Sequence, residues 1–344
     1  MTHDEARTII TNRKRELGDK LIILGHHYQN DDILEYADYV GDSLELARKA
    51  SRIERAESIV FCGVYFMAET AAILAPGRAV YIPDTAAGCP LADMAPLAEV
   101  LAAWDAITQV TRSVVPVTYV NSTAELKAFC GRNAGAVCTS GNARKILAWA
   151  LDKAGKIFFM PDRNLGRNTA RSLGIPDGEI IEWDPGAAGT DVDRDAIAKA
   201  RVILWKGWCP VHFPEFSAED VSAIRSRFPG IKVIVHPETD PATAAASDLS
   251  GSTAMILEYL ASLGEGQKVA VGTEAHMVYR AARANRFRID VVPLKEVYCE
   301  DMAKITLEKL AQTLSRLESG QGRVEVAPDI AEHAMKALDA MLRI

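Results

Sequence analysis

The sequence predicts an α/β fold made of three similar modules. Short runs rich in Val and Ile alternate with longer Ala-rich segments of helical pattern along the whole chain. Most of these runs are apolar throughout, which is typical of parallel strands that are covered on both faces. Strand and helix in repeated alternation indicate right-handed βαβ units. The runs predicted as strands are 21–24, 58–61, 79–82, 116–120, 135–138, 156–160, 179–183, 201–205, 232–235, 268–271 and 289–292.

Internal repeats suggest the number of modules. The segments 41–51, 139–150 and 251–262 each begin with small residues that include a serine and continue as an Ala- and Leu-rich helix. These serines, which are Ser43, Ser140 and Ser252, each occupy the position expected of a helix N-cap. A second repeat pairs YIPDTAAGC (81–89) with FMPDRNLG (159–166), each a strand that ends in Pro-Asp and a Gly-containing loop.

The repeats predict where the modules begin and end. We expect α/β domains at 1–110, 111–195 and 196–300, with helices at 301–344 that close the structure. Parallel sheets bind ligands beyond the carboxyl ends of their strands. Three such modules facing a common axis would therefore share one central site.

Composition and charge narrow the class of protein. The chain has 344 residues, of which 49% are hydrophobic, and a formal net charge of −7. It has no apolar run of about 18 residues that would predict a transmembrane helix, and its charged N-terminus lacks a secretory apolar core. We therefore expect a cytoplasmic protein whose cysteines are reduced thiols or metal ligands rather than disulfides. The charge argues against nucleic acid or a membrane as partner, but not against small anions held at helix N-termini.

Residues capable of catalysis cluster at the ends of the predicted strands and directly after them. These positions hold His26, His27 and Tyr28; Tyr119, Asn121 and Ser122; Cys209 and His212; His236 and Glu238; and Thr273, Glu274 and His276. Strand ends are loops and loops are commonly polar, so a single such residue carries little weight. The whole set, at the carboxyl ends of strands in an α/β fold, predicts a functional site.

The six cysteines divide by context. Cys62, Cys130 and Cys138 end strands or a helix and read as small buried hydrophobic residues. The other three lie in loops, with Cys89 and Cys209 directly before proline and Cys299 just before a predicted helix. A Cys-Pro step recurs among iron–sulfur ligands. Zinc is equally open at this point, because His26, His27, His212 and His236 could complete a zinc site.

Nine segments in a fixed order carry a family resemblance. They are GHHYQNDDILEYADYVGDSLELAR, PVTYVNSTAELKA, CTSGNA, FMPDRNLG, KGWCPVH, VHPET, GSTAMI, GTE and CEDMAKITLEKL. Over nearly the whole chain they resemble the quinolinate synthase family. The resemblance implies three α/β domains around a pseudo-threefold axis with the active site at the centre. It also implies one 4Fe–4S cluster held by Cys89, Cys209 and Cys299, with one iron left without a protein ligand.

The resemblance also implies a reaction. Members of the family condense iminoaspartate with dihydroxyacetone phosphate to give quinolinate, phosphate and two waters, as a step of NAD biosynthesis. An iron with a free coordination position would act as a Lewis acid on a departing hydroxyl. The imine hydrolyses readily, so an aspartate-oxidising enzyme is a candidate partner that hands it over.

Residue roles follow from the same resemblance. Substrate-facing roles are implied for Tyr28 as a catalytic residue and for the binding residues His26, Tyr119 and Asn121. Helix starts that hold carboxylate or phosphate are implied at Ser43, Ser140, Ser252 and Thr253. Proton transfers are implied for His212, His236 and Glu238, with Glu238 as a general base and one of the two histidines as its partner.

The chain departs from the family pattern in two places. Many members have cysteine where this chain has Thr239, and some carry additional cysteines near the third ligand, whereas Cys299 stands alone. Disulfide-based redox regulation is therefore not expected. A zinc or mixed-metal hydrolase that uses Cys209 and the histidines is one competing hypothesis, and a non-enzymatic anion-binding module is another.

Overall fold

The computed structural model describes residues 1–187 and 193–344. Its strands are β1 (Leu21–His26), β2 (Tyr39–Gly41), β3 (Ser58–Cys62), β4 (Ala79–Tyr81), β5 (Val115–Tyr119), β6 (Ala136–Cys138), β7 (Ile157–Met160), β8 (Ile180–Trp183), β9 (Val202–Trp205), β10 (Lys232–Val235), β11 (Leu249–Ser250), β12 (Lys268–Gly272), β13 (Asp290–Pro293) and β14 (Arg323–Val324). All the strands predicted from the sequence are present. The short strands β2, β11 and β14 were not predicted.

Helices connect and cover the strands. They are α1 (His3–Leu17), α2 (Asp31–Leu34), α3 (Ser43–Ala50), α4 (Tyr65–Leu74), α5 (Pro90–Asp93), α6 (Leu97–Val110), α7 (Ala124–Arg132), α8 (Ala143–Ala154), α9 (Arg163–Ser172), α10 (Arg194–Lys199), α11 (Ala218–Arg227), α12 (Pro241–Ala246), α13 (Thr253–Ser262), α14 (Ala275–Asn285), α15 (Glu300–Ala303), α16 (Leu307–Ser315) and α17 (Pro328–Arg343).

The strands form three sheets, which confirms the predicted α/β class. The sheet orders are β14-β4-β3-β1-β2, β6-β5-β7-β9-β8 and β11-β10-β12-β13. Every pairing is parallel except that of β14 with β4. The residues of β7 and β9 are all buried, as the uninterrupted apolar runs IFFM and VILW predict for strands covered on both faces.

The second sheet extends further along the chain than the repeats suggest. Val202–Trp205 pairs with β7 and with β8, so the chain changes from the second to the third sheet after residue 205 rather than near 195. The division into domains and the pseudo-threefold axis stay predictions. Within the described residues, no helix is both long enough and apolar enough to cross a membrane.

The predicted closing helices return to the first two modules. Helix α16 packs against α1, and α17 packs against α7. A Cβ on Gly131 would overlap the carbonyl oxygen of His333, so glycine lets α7 and α17 approach this closely. The Asn142 side chain donates to the carbonyl of Met341 at 3.1 Å, which ties α17 to the start of α8.

The N-cap prediction is correct for one serine and wrong for two. Ser252 caps α13 through a bond from the Met255 amide at 3.3 Å. Ser43 is the first residue inside α3, because the Asp42 carboxylate accepts from the Leu44 and Glu45 amides and takes the cap. Ser140 lies in the turn before α8, whose N-cap is Asn142.

Candidate active site

One cavity of about 350 Å³ lies where strand ends of all three sheets meet. A Cβ on Gly141 would lie 3.6 Å from Ser252 Oγ and 3.8 Å from Leu44 Cδ2, so the three repeated helix starts converge. The cavity is lined by almost every site residue that the sequence predicts: His26, Tyr28, Ser43, Cys89, Tyr119, Asn121, Ser140, Cys209, His212, His236, Glu238, Thr253 and Cys299. Ser252 is the exception, since it is buried at the N-cap of α13 and is not part of the lining.

The three loop cysteines are brought to this cavity by different elements. Cys89 is the N-cap of α5, and Cys299 is the N-cap of α15. Cys209 follows β9 in a loop, and its amide donates to Asp162 Oδ2 at 3.1 Å. Residues far apart in sequence thus place three thiols on one wall, whereas Cys62, Cys130 and Cys138 are buried and do not line the cavity.

The electrostatic surroundings of these thiols suit a metal. Burial raises the pKa of Cys299 to about 11. Burial also raises the pKa of Cys209 well above its usual value, and the neighbouring Glu238, Cys89 and Cys299 raise it further. The metal-binding form is the thiolate, so a cation is needed to ionise such a group of thiols. The donor set therefore fits a positively charged metal centre.

A second set of donors overlaps this one. Ligand atoms of Cys209, His212 and Glu238 all lie within 4.8 Å of one another. A thiol, an imidazole and a carboxylate are also ligands that zinc accepts, with a fourth position open. The donor chemistry at this wall is consistent with either metal.

A hydrogen-bonded chain beside the cavity connects the first sheet to the third. The Tyr28 hydroxyl lies 2.7 Å from Thr273 Oγ1, which lies 3.1 Å from His212 Nε2. His212 Nδ1 lies 2.7 Å from Glu238 Oε2. His212, Glu238 and Thr273 are almost completely buried. Such a chain holds each ring in one orientation and joins the hydroxyl of Tyr28 to a carboxylate.

Glu238 is the charged end of this chain. Burial alone would raise its pKa, but His236 and His212, with hydrogen bonds from His212 and Tyr119, lower the pKa to about 2. His236 stacks on His212 at 4.3 Å between ring centroids, and its Nδ1 lies 3.8 Å from Glu238. Burial and the nearby His212 lower the pKa of His236 to about 3, so its ring is neutral at neutral pH. His212, not His236, is the direct partner of Glu238.

The remaining predicted residues lie on the other walls. His26 meets the Tyr28 ring edge-on at 4.7 Å, and burial lowers the pKa of His26 well below its usual value. Tyr119 ends β5, and burial together with Glu238 raises its pKa well above the usual value. Asn121 Oδ1 is buried and has no hydrogen-bond partner among the described residues. A buried amide oxygen without a partner is an acceptor left for a ligand.

Anions that enter this cavity meet few cations. Among its described lining residues there is no lysine and no arginine. At the start of α3 the Asp42 carboxylate already accepts hydrogen bonds from two backbone amides. Fewer amides are therefore left to bind an anion there than the prediction for Ser43 requires. The turn before α8 and the start of α13, with Ser140 and Thr253, keep the positive ends of two longer helices directed at the cavity region.

Thr273 is the residue that sequence reasoning failed to single out. It stands directly after β12 in Gly-Thr-Glu, among the strand-end residues, and nothing local distinguishes it from Glu274 or His276. Its position between Tyr28 and His212 depends on contacts between two sheets, which one sequence does not display.

Comparison with known proteins assigns the family. The family model described as "Quinolinate synthetase A protein" matches residues 8–343. A protein of Rhodopirellula baltica named quinolinate synthase is 44% identical, over 96% of this chain and 88% of its own. Proteins of the same name from Nocardioides sp. and Bacillus licheniformis are 43% and 42% identical, covering 96% and 100% of this chain and 87% and 94% of theirs. The chain belongs to the quinolinate synthase family.

Proposed function

We propose that this enzyme condenses iminoaspartate with dihydroxyacetone phosphate to give quinolinate, phosphate and two waters, in the cytoplasm as part of NAD biosynthesis. The observation that carries the proposal is the placement of three loop thiols beside the chain from Tyr28 to Glu238 in one cavity. No electrons are gained or lost in this overall reaction. It is a sequence of proton transfers, bond formation and eliminations, for which acid–base residues and a Lewis acid suffice.

Cys89, Cys209 and Cys299 are the residues that would hold the cluster. The fit rests on three thiols, one buried and two half-buried, that line one cavity and raise one another's pKa. A 4Fe–4S cluster with one iron free of protein ligands supplies Lewis acidity toward a departing hydroxyl.

The hydrogen-bonded chain fixes the direction in which a proton moves. The ionised Glu238 accepts from His212 Nδ1–H, so His212 Nε2 is left as the acceptor for the Thr273 hydroxyl. Thr273 Oγ1 is then left to accept from the hydroxyl of Tyr28, a residue that lines the cavity. A proton removed from a substrate carbon passes to Tyr28 oxygen, while the protons of Tyr28 and Thr273 each move one place toward His212. The resulting imidazolium is stabilised by Glu238.

Substrate anions would be bound by dipoles rather than by fixed cations. Iminoaspartate carries two carboxylates and dihydroxyacetone phosphate carries a phosphate, yet the described lining has no lysine or arginine. Ser140 and Thr253 at helix starts provide hydroxyls and amides for them. Asn121 Oδ1 is a suitable acceptor for the imine N–H. An aspartate-oxidising enzyme remains the candidate source of that imine.

A single experiment tests the proposal against its competitor. The protein is purified without oxygen, iron, sulfide and zinc are measured, and the two substrates are added with quinolinate followed by chromatography. We expect about four irons and four sulfides per chain and quinolinate formation. The Cys209, His212 and Glu238 set favours a zinc hydrolase as second candidate. A colourless protein with one zinc and no quinolinate would support that candidate instead.

A further inference from the structure

Helix α9 begins inside the FMPDRNLG segment (159–166), which the internal repeat pairs with the segment that ends at Cys89. The helix lies tightly on the second sheet: a Cβ on Gly166 would lie 2.5 Å from Leu204 Cδ2 and 2.6 Å from Phe159 Cδ1. A side chain at this position would overlap Leu204 and Phe159, so glycine lets the helix pack directly on the sheet. Its first two turns are therefore a rigid support for whatever they bind.

Asp162, the N-cap of α9, binds the loop of Cys209. Its side chain is completely buried, and Oδ1 accepts from the Leu165 amide at 2.7 Å. Oδ2 accepts from the Cys209 amide at 3.1 Å, and the Arg163 amide donates to the carbonyl of Gly207 at 2.9 Å. The same carboxylate thus caps the helix and fixes the backbone of a cavity cysteine.

Two asparagines further along α9 bind the loop of Glu238. Asn164 Nδ2 donates to the carbonyl of Glu238 at 3.2 Å. Asn168 Nδ2 donates to the carbonyls of Pro237 and Thr239 at 2.9 and 2.8 Å. Three consecutive carbonyls of a buried loop therefore receive their hydrogen bonds from one helix of the neighbouring sheet. Buried carbonyls without partners are costly, so these bonds hold the loop in place.

We propose that Asp162, Asn164 and Asn168, the α9 clamp, form a positioning element that sets the Glu238 carboxylate relative to Cys209. Cys209 follows the second sheet and Glu238 the third, yet their ligand atoms lie within 4.8 Å of each other. The clamp holds both loops from one rigid helix. A displacement of about 1 Å at a reacting group costs on the order of 100-fold in rate. The catalytic consequence rests on the proposed function, whereas the holding of the two loops does not.

The variant Asn168→Asp tests the clamp at constant side-chain shape. It places an oxygen against the carbonyls of Pro237 and Thr239, where the amide donated before. Asn133→Asp is the matched control, because Asn133 Nδ2 also donates to a carbonyl, that of Phe129 at 2.9 Å, away from the cavity. We expect kcat to fall about 30- to 100-fold in Asn168→Asp with iron content unchanged and KM within about 3-fold. We expect kcat of Asn133→Asp within about 2-fold of the unaltered enzyme.

Hydrogen exchange measured by mass spectrometry supplies a readout that does not depend on turnover. Peptides over 236–240 should exchange faster in Asn168→Asp while those over 207–213 do not change, and Asp162→Ala should show the reverse. The proposal is overturned if exchange over 236–240 is unaltered in Asn168→Asp, or if its kcat falls no further than that of Asn133→Asp. If the unaltered protein makes no quinolinate, the proposed function fails, and the exchange pattern still decides whether the clamp holds the two loops.

Discussion

The three cavity cysteines differ from the three core cysteines in their neighbours as well as in their exposure, since Cys89 and Cys299 are half-buried and the core cysteines are fully buried. Burial raises the pKa of the thiol in both groups. Burial raises the pKa of Cys62 to about 12, and among the described residues Lys14 is the one neighbour that lowers it. Cys209, by contrast, has Glu238, Cys89, Asp162 and Cys299 near it, and each raises its pKa further.

Grouping the cavity thiols beside carboxylates has an energetic cost that the core thiols do not have. Core thiols are neutral and pack as small hydrophobic residues. Thiols collected beside two carboxylates repel one another whenever they ionise, so the arrangement is unfavourable without a cation. Groups whose ionisation is disfavoured in this way concentrate at functional sites. The comparison therefore predicts that changes to the two groups have different consequences.

Replacing a cavity cysteine should abolish activity. Cys89→Ala, Cys209→Ala or Cys299→Ala removes a ligand from the wall, so iron, sulfide and quinolinate formation should be lost together, with activity down more than about 1000-fold. Cys62→Ala should keep all three. Metal analysis and the visible spectrum of protein purified without oxygen measure this. Equal loss of iron, sulfide and activity in Cys62→Ala would contradict the distinction between cavity and core cysteines.

Replacing Thr273 should remove activity without touching the thiols. Thr273→Val keeps the side-chain shape but breaks the chain between Tyr28 and His212, so kcat should fall about 100- to 1000-fold with iron content unchanged. Thr273→Ser keeps the hydroxyl and should retain most of the activity. Steady-state kinetics with iron analysis decide the point. Iron loss in Thr273→Val would instead indicate that the hydrogen-bonded chain also helps to position the three cavity cysteines.

Lys127 lies between the two groups, near Cys130 on the core side and Cys89 on the cavity side. It is completely buried, its ammonium donates to the Ser122 carbonyl, and burial lowers its pKa from 10.5 to about 8. Below pH 8 both folded and unfolded chains are protonated, and the folded state bears the full penalty of the buried charge. From pH 8 to 10.5 the unfolded chain binds more protons, so the penalty is lost as pH rises.

Lys127→Met should therefore stabilise the protein at pH 7 and do so less as the pH rises. A gain of about 2 kcal/mol is expected at pH 7, shrinking toward zero near pH 10. Urea denaturation at several pH values measures it. Lys153→Met is the control, since Lys153 donates to the Ala134 carbonyl at 2.6 Å but is exposed. A gain that does not depend on pH would mean that the pKa of Lys127 is the same in the folded and the unfolded chain.

Replacing a core cysteine should have the smallest effect. Cys138→Ala leaves a small void at the buried end of β6 and should lower the free energy of unfolding by about 1 kcal/mol. Iron content and kcat should not change. Thermal unfolding alongside the activity assay measures both. A fall in iron content would show that Cys138 acts as a ligand after all.

The sequence predicted the strands well because parallel strands covered on both faces are apolar throughout. The run VILW is an example, and all four of its residues are buried in β9. The helix caps were predicted less well. Asp42, the neighbour of Ser43, accepts from the amides at the start of α3, and Asn142 occupies the N-cap position of α8 in place of Ser140; the identity of the serine does not reveal either outcome.

Contacts between modules could not be predicted from local pattern. Thr273 contacts Tyr28, 245 positions away in the sequence, and Asn168 contacts the loop of Pro237 and Thr239 from another sheet. Such pairings depend on how the sheets are arranged, which periodicity within a segment does not encode. The loop cysteines were separable from the core cysteines because proline and helix starts mark them locally.

The close packing of α17 on α7 bears on the order in which the protein is assembled. During synthesis, domains fold from the N-terminus as they emerge from the ribosome. Cys89 and α7 emerge early, but Cys299 and then α17, whose His333 carbonyl rests on Gly131, emerge much later. A nascent chain therefore displays a cavity wall that still lacks Cys299 and a second module whose surface is still uncovered. A metal held by Cys89, Cys209 and Cys299, as we propose, would be loaded only after Cys299 has emerged.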